Sequence, residues 1–367
     1  MIYGLPYKQA TPTGFGTANF LALRCGRQHK SVMSIRSKTV PILTIICLLA
    51  FPTLAADNSF LGSWGLTLPN DAAGWLGVEQ ADGQLKASLL WAVGSVEPAA
   101  SAIIKDDALV LTRIHPVERK DATGKKVKTT ITETISVRLE GDTMTLISTK
   151  PREDGKGEDR VEAKGRRLPR MPAAPNLNKV KFGEPIRLFN GEDLSGWRLT
   201  NPNAVNGWIA KDHLLVNDAK QEEGKPHKNY GNLRTDQEFE DFNLKLEVRV
   251  DKGGNSGVYL RGIYEVQVAD TYGKPLDPHN MGAVYSRIKP ALGAEKPAGE
   301  WQSLDITLVD RHVTVILNDK RIIDNQPVLG CTGGALWSDV TRPGPIYLQG
   351  DHTGSEYRNI VLRRVEK

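Results

Sequence analysis

Cysteine is scarce in this sequence, with three residues in 367. Cys25 and Cys47 precede the main body of the chain, so Cys331 stands alone in the rest. Neither an intramolecular disulfide nor a cysteine metal cluster is available there. Long apolar runs are equally rare. The one present, VPILTIICLLAF over Val40 to Phe51, is short for a bilayer crossing and carries Pro41 near its start. The chain also lacks a Gly-x-Ser-x-Gly elbow, a phosphate loop, a His-Glu-x-x-His pair and a dinucleotide fingerprint. These absences remove the familiar serine-hydrolase, nucleotide-binding and zinc-peptidase signatures. No amphipathic helical period and no internal repeat stand out either.

The apolar run has the layout of a signal peptide. Met33 opens a basic segment with Arg36 and Lys38, the run follows, and Thr53-Leu54-Ala55 supplies small residues before Ala56-Asp57. Residues 1–32 are therefore expected to be an upstream extension and 33–56 a signal peptide, with the product exported to a periplasm or the cell exterior. The formal charge of +5 then changes sign, because residues 1–56 hold six Lys and Arg and no acid. What remains has 42 basic and 43 acidic side chains, about −1. A nucleic-acid binder would need a surplus of cations on the folded part. No nucleic-acid partner and no membrane span in the mature chain are expected.

Residues 57–168 read as a small antiparallel β domain, a barrel or a sandwich, with turn signals at regular spacing such as Ala81-Asp82-Gly83 and Glu140-Gly141-Asp142. Its opening LGSWGLTL, Leu61 to Leu68, is similar to the Gly-x-Trp strand that begins lipocalin-type barrels. Trp64, Trp75 and Trp91 could line a groove, although core burial is the commoner outcome for tryptophan. Residues 169–185 hold proline without a sustained period and read as a linker. Over 186–367 alternating segments return: FNLKLEVRV, SGVYLRGIYEVQV, LDITLVD, HVTVILN, PIYLQG and YRNIVLRRV. Tight turns are expected at Val309-Asp310-Arg311-His312 and Asn318-Asp319-Lys320-Arg321, and a hairpin at Lys252-Gly253-Gly254. The fold class is all-β, a two-sheet jelly-roll sandwich behind a smaller β domain.

Chemistry has to come from a polar cluster on strands. If Ser256 to Val268 is one strand, Tyr259, Arg261, Ile263, Glu265 and Gln267 share a wet, charged face, and the strand runs on into Asp270 and Tyr272. The segment Pro345 to His352 places Tyr347, Gln349 and Asp351 on one side with His352 in a turn; His279 and Glu300-Trp301 would sit at the rim. An exposed sheet face carrying Arg and Glu is often only solvated and ion-paired. Glutamines recurring beside acids suit a hydroxyl-rich ligand better. Cys331 reads as a small packed residue. No cofactor is certain; Asp270, Asp277, His279, Asp351 and His352 could offer ligands to a divalent metal, although their spacing fits no template.

Four segments carry a resemblance: IRLFNGEDLSGW (Ile186 to Trp197), NSGVYLRGIYEVQVADTYG (Asn255 to Gly273), GEWQSLDITLVDRHVTVILNDKRI (Gly299 to Ile322) and GPIYLQGDHTGSEYRNIVLRRV (Gly344 to Val365). In this order they resemble the 3-keto-disaccharide hydrolase domain family. The resemblance implies a concanavalin-like jelly roll with carbohydrate on its concave sheet, and cleavage of glycosides already oxidised to a ketone at C3. A separate sugar 3-oxidoreductase would be the partner that makes that ketone. Residues 57–168 inherit nothing from it. A C3 ketone acidifies the C2 proton, so a base, an oxyanion stabiliser and a proton donor suffice for elimination followed by hydration. Glu265 or His352 is expected as base, Arg261 with Gln267 at the enolate oxygen, and Asp351 as the group that orients His352 or protonates the leaving group. Tyr259, Gln267, Asp270, Tyr272, His279, Trp301 and Gln349 are expected to bind substrate. Glu265 paired with Asp270 or Asp351 could instead run a two-carboxylate hydrolysis. The other classes in view are a non-catalytic carbohydrate-binding module of lectin type and a partner-capture role for the N-terminal domain. On the partner-capture view, deletion of Phe60 to Leu168 would spare the sugar chemistry.

Overall fold

Nine strands wind as a meander through the first half of the chain: β1 (Gly62–Thr67), β2 (Ala73–Ala81), β3 (Gln84–Trp91), β4 (Glu97–Pro98), β5 (Ser101–Lys105), β6 (Ala108–Lys120), β7 (Lys126–Glu140), β8 (Thr143–Pro151) and β9 (Glu158–Arg167). The computed structural model describes residues 58–120, 125–222 and 224–366. The expected signal peptide and upstream extension lie outside them. Each strand pairs with its neighbour in sequence, and β9 returns to β1. Between β4 and β5, the Ala99 N–H donates to Ala87 on β3 and the Ala100 N–H to Thr112 on β6, so the two short strands act as one and the sheet closes into a barrel. Inward alternation fills it with Trp64, Leu66, Leu76, Leu89, Leu111, Ile135 and Leu146. Arg167 lies 4.1 Å over the Trp64 ring and donates to the carbonyls of Ser59 and Leu61, which seals that end. Trp64 is therefore core, not a groove lining.

The second half supplies two sheets. Its strands are β10 (Ile186–Arg187), β11 (Trp197–Leu199), β12 (Trp208–Lys211), β13 (Leu214–Asn217), β14 (Leu233–Thr235), β15 (Phe242–Arg249), β16 (Asn255–Leu260), β17 (Tyr264–Ala269), β18 (Gln302–Val309), β19 (His312–Leu317), β20 (Lys320–Pro327), β21 (Tyr347–Leu348) and β22 (Ser355–Arg364). The larger sheet runs β12-β13-β22-β15-β18-β19-β20 with β10 on β22, and the smaller runs β11-β14-β21-β16-β17. Alternation explains the packing. Phe242, Leu244, Leu246 and Val248 of β15 meet Val258, Leu260, Val266 and Val268 of the smaller sheet in one core. Type I′-like turns form at Asp310-Arg311, with φ of 48° and 59°, where the sequence put one, and at Asn318-Asp319, with φ of 48° and 63°, one residue earlier than the expected Asn318–Arg321 turn.

Two local expectations change. Ser256 to Val268 is a hairpin rather than one strand, because Arg261 and Gly262 take φ of 54° and 70° and the Ile263 N–H donates to Leu260. The Gly253-Gly254 turn is no hairpin; it carries the chain from β15 in one sheet to β16 in the other.

The linker is pinned. Arg311 donates to the carbonyls of Pro169 and Arg170, and Asn325 to that of Pro175. Barrel and sandwich share apolar contact: Trp75 joins the sandwich core beneath the Arg287 guanidinium, 4.3 Å from its ring centroid, and the Cys331 thiol reaches the Gly74 carbonyl at 3.6 Å. No helix among the described residues is long and apolar enough to cross a membrane.

Candidate active site

The face of the smaller sheet turned away from the core carries the polar cluster. Register places Arg198 beside Arg234, Arg234 beside Tyr347, Tyr347 beside Tyr259 and Tyr259 beside Glu265. A bridge between Val266 and Val284 adds residues 283–285 along β17, and the Tyr285 N–H donates to the Glu265 carbonyl. One row of side chains therefore crosses the sheet from Arg198 to Tyr285. In the neighbouring row Gly257 lies between Gln267 and Gln349. The missing side chain at Gly257 matters, since a Cβ there would stand 2.5 Å from Glu265 Oε1. The Glu265 carboxyl leans across that bare backbone.

Glu265 and Glu133 are the two carboxylates buried among the described residues, and their surroundings push them in opposite directions. Burial alone would raise both. Glu133, inside the barrel, receives the Ser148 hydroxyl at 2.5 Å, the His115 ring at 2.7 Å and the Arg113 guanidinium at 3.3 Å, which outweigh burial and hold it below the ordinary range. It is a satisfied structural anion. Glu265 meets no cation. Burial raises it to about 8, opposed by the Tyr259 hydrogen bond and assisted by the charge of Asp351.

Proton counting gives the same result from geometry. The Tyr259 hydroxyl oxygen is 2.9 Å from Glu265 Oε2 and 2.7 Å from the Gly333 carbonyl, yet it has one proton for two acceptors. A protonated Glu265 resolves the conflict: its O–H donates to Tyr259, and Tyr259 donates to Gly333. The Tyr259 ring stacks on Tyr347 with centroids 3.8 Å apart, and the Tyr347 hydroxyl donates to Gly334. Burial raises both phenols, so they stay protonated. Exposure then increases along one path, from buried Tyr347 through half-buried Gln349 to exposed Asp351 and His352, whose Nδ1 is 2.8 Å from Asp351. The Gln349 Oε1 atom is buried without a partner in the protein. Gln267 turns its own Oε1 to the Val268 N–H, 3.1 Å away, which leaves its amide nitrogen as the free end.

Several expected members lie elsewhere. Arg261 is in the hairpin turn, 2% exposed, and its guanidinium donates to the backbone carbonyls of Val340 and Arg342. Its Nε and Nη2 are thus committed to holding the 340–342 segment. The face expected to be wet is in fact closed over: Glu265 and Gln267 are 4% and 5% exposed. Trp301 belongs to the other sheet, where Arg358 and Arg249 cover its ring at 4.1 and 4.9 Å while pairing with Glu247 and Glu356. The whole core separates it from Glu265. Trp301→Ala is accordingly expected to lower the melting temperature and leave KM for a sugar substrate within about twofold, checked by calorimetry and initial rates.

Asp270 is about 16 Å along the chain from Glu265 and accepts the Gly253 N–H, so it braces the crossover turn. Tyr272, in the next turn, is 57% exposed. His279 stays nearer: its ring meets Tyr285 edge-on with centroids 5.0 Å apart, and its Nε2 is 2.9 Å from Ser95 of the barrel. Among the described residues no three of His, Cys, Asp and Glu come together as a metal-ligand group. Cys331 is buried as expected, and burial raises its thiol to about 11. Tyr285 and Gly333-Gly334 went unnoticed in the sequence, where only the YLQG alternation hinted at Tyr347.

Comparison with known proteins covers the sandwich half. The 3-keto-alpha-glucoside-1,2-lyase-like domain matches residues 184–363. A curated relative from Bacteroides thetaiotaomicron, named 3-keto-disaccharide hydrolase, is 26% identical over 166 residues, which is 38% of this chain and 57% of the relative. The chain thus spans little more than half of that relative's length. Two crystal structures from Parabacteroides distasonis, provisionally named glycosyl hydrolases, are 30% and 25% identical. They cover 53% and 50% of this chain and are themselves covered over 92% and 100%, with TM-scores of 0.41 and 0.37. Through the domain at residues 184–363, this chain belongs to the 3-keto-alpha-glucoside-1,2-lyase-like family.

Proposed function

We propose that the protein is an exported glycoside-cleaving enzyme acting on glycosides that carry a ketone at C3. Family membership and the name of the Bacteroides relative support the substrate class. The observation that carries the chemistry is a buried carboxyl, Glu265, held near pKa 8 with no cation beside it. Once ionised, such a group is a far stronger base than a solvated carboxylate. It takes the proton from C2; the electron pair moves into the enolate on the C3 oxygen and then forms the C1=C2 bond as the C1–O bond breaks. The departing oxygen takes a proton from the exposed Asp351–His352 pair. Water adds its hydroxyl to C1 and gives its remaining proton back to the Asp351–His352 pair, and Glu265 returns its proton to C2, so the net change is hydrolysis. The free amide nitrogen of Gln267 is the donor for the enolate oxygen, and the unpartnered Gln349 Oε1 accepts a sugar hydroxyl. An enzyme that oxidises sugars at C3 must supply the substrate.

The test is nitrophenol release from a 3-keto nitrophenyl glucoside beside the unoxidised glucoside, with and without a chelator. Release from the keto form alone is expected. Because Glu265 must be ionised to act, kcat/KM should rise about tenfold per pH unit below 8 and level off above it. Equal release from both sugars would replace elimination by a two-carboxylate route. Release from neither, with sugar binding in a calorimeter, would make the domain a binding module.

A further inference from the structure

The barrel lies outside the matched segment, yet its β3–β4 loop touches both walls beside Glu265. Ala92 has φ 66° in a γ-turn in which the Val93 N–H donates to Trp91 at 2.9 Å. A non-glycine residue in this conformation costs on the order of 1–3 kcal/mol, and such strain persists where surrounding contacts enforce it. The turn aims the Ala92 carbonyl at the Gly334 N–H, 3.0 Å away. Gly334 in turn accepts the Tyr347 hydroxyl at 2.7 Å. Gly94 packs so tightly on Gly333, the acceptor of Tyr259, that a Cβ on Gly333 would lie 2.3 Å from the Gly94 oxygen. On the other side, the Ser95 hydroxyl meets His279 Nε2 at 2.9 Å and the Val96 N–H donates to Ser286 Oγ at 2.7 Å. Tyr285, between them, holds the Glu265 backbone. Residues 92–96 thus tie the 333–334 wall to the 279–286 wall, with Glu265 between.

We propose that the Ala92–Val96 loop of the barrel is a positioning element of the sandwich's active site, fixing the carbonyls that receive the Tyr259 and Tyr347 hydroxyls and orienting His279. The barrel then completes the site and is not a separable capture module. The kinetic consequence rests on the proposed function; the structural one does not. While Gly333 is held in place, Tyr259 commits its proton there and Glu265 keeps its own. A loosened wall frees Tyr259 to donate to Glu265 and admits water, and both changes favour the carboxylate. The ionisable groups facing Glu265 are Tyr259, Tyr347, Tyr357 and Asp351, and the loop substitutions replace none of them.

The decisive experiment follows the Glu265 side-chain carboxyl by 13C NMR against pH in the full chain, with the resonance assigned by its loss in Glu265→Gln. Gly94→Ala, strained at φ 80°, and Ala92→Gly, which relaxes its turn and so folds at least as well, both loosen the loop. In each, the midpoint should fall from about 8 by about one unit or more. Above about pH 9, where the carboxyl is ionised in wild type and variants alike, the weaker and less well-placed base should also lower kcat about tenfold while KM changes less than about threefold. Ile114→Ser, altering a side chain on β6 that is 57% exposed and lies outside the loop, should leave both unchanged. An unmoved midpoint in folded Ala92→Gly and Gly94→Ala would overturn the proposal. If the wild type turns over no keto-glycoside, the proposed activity fails while the carboxyl titration still decides the role of the loop.

Discussion

Glu265→Gln is expected to reduce turnover of a 3-keto-glycoside by about 10²–10⁴-fold and at the same time to stabilise the protein at alkaline pH. The two effects have one origin. Glutamine copies the protonated carboxyl: its amide N–H donates to Tyr259, Tyr259 still donates to Gly333, and the bare backbone at Gly257 accommodates the side chain as before. What is lost is the ability to accept a proton. The sign of the stability effect follows from linkage. In the unfolded chain Glu265 releases its proton near 4.5, whereas in the folded protein it keeps it until about 8, so across that window the folded state binds more protons. Stability contributed by this group is complete below 4.5 and is lost as pH rises to 8. At about 1.4 kcal/mol per unit the loss is about 3–5 kcal/mol, with water entry reducing it. Urea unfolding at pH 5 and pH 8.5 should show a smaller difference in the variant than in the wild type. Equal differences in both would remove the buried-acid account of Glu265.

Arg261→Ala should have the opposite profile, a large loss of stability with little change in chemistry. Its guanidinium is nearly inaccessible and is held by the carbonyls of Val340 and Arg342, while its backbone forms the turn that pairs β16 with β17. Truncation leaves the buried Val340 carbonyl and the partly buried Arg342 carbonyl without that donor, at about 1–3 kcal/mol each for a charge-assisted bond. Denaturant midpoints should fall by an amount corresponding to about 2–4 kcal/mol, with kcat of the folded fraction within about threefold. A thousandfold loss of kcat with unchanged stability would return Arg261 to the enolate oxygen and refute the assignment made from its hydrogen bonds.

Those two residues also mark how far local pattern carries. Alternation in FNLKLEVRV and YRNIVLRRV determines strands because one face must be buried, and the Asp-Arg and Asn-Asp turns open on Asp310 and Asn318, residue types that tolerate positive φ. The same rule fails within SGVYLRGIYEVQV, where Arg261-Gly262 satisfies alternation and turn chemistry equally well. Passing through the hairpin, Tyr259 and Glu265 still share a face, but as cross-strand partners, while Arg261 leaves it. Trp301 misleads for a different reason: strand side is visible in a sequence, whereas which of two sheets a strand joins is not.

By itself, then, the sequence determined the all-β class, the sandwich half, the family of residues 184–363 and the placing of Tyr259 and Glu265 on one face, because burial periodicity and local motifs are properties of contiguous residues. Only the tertiary structure decided that Glu265 rather than Glu133 is the perturbed carboxyl, that Arg261 and Trp301 serve the fold, and that a barrel loop reaches the walls of the site. Each of those outcomes depends on which donors arrive from elements distant in sequence. A carboxyl's pKa and an arginine's free hydrogen-bonding capacity are set by that company, not by the residues on either side.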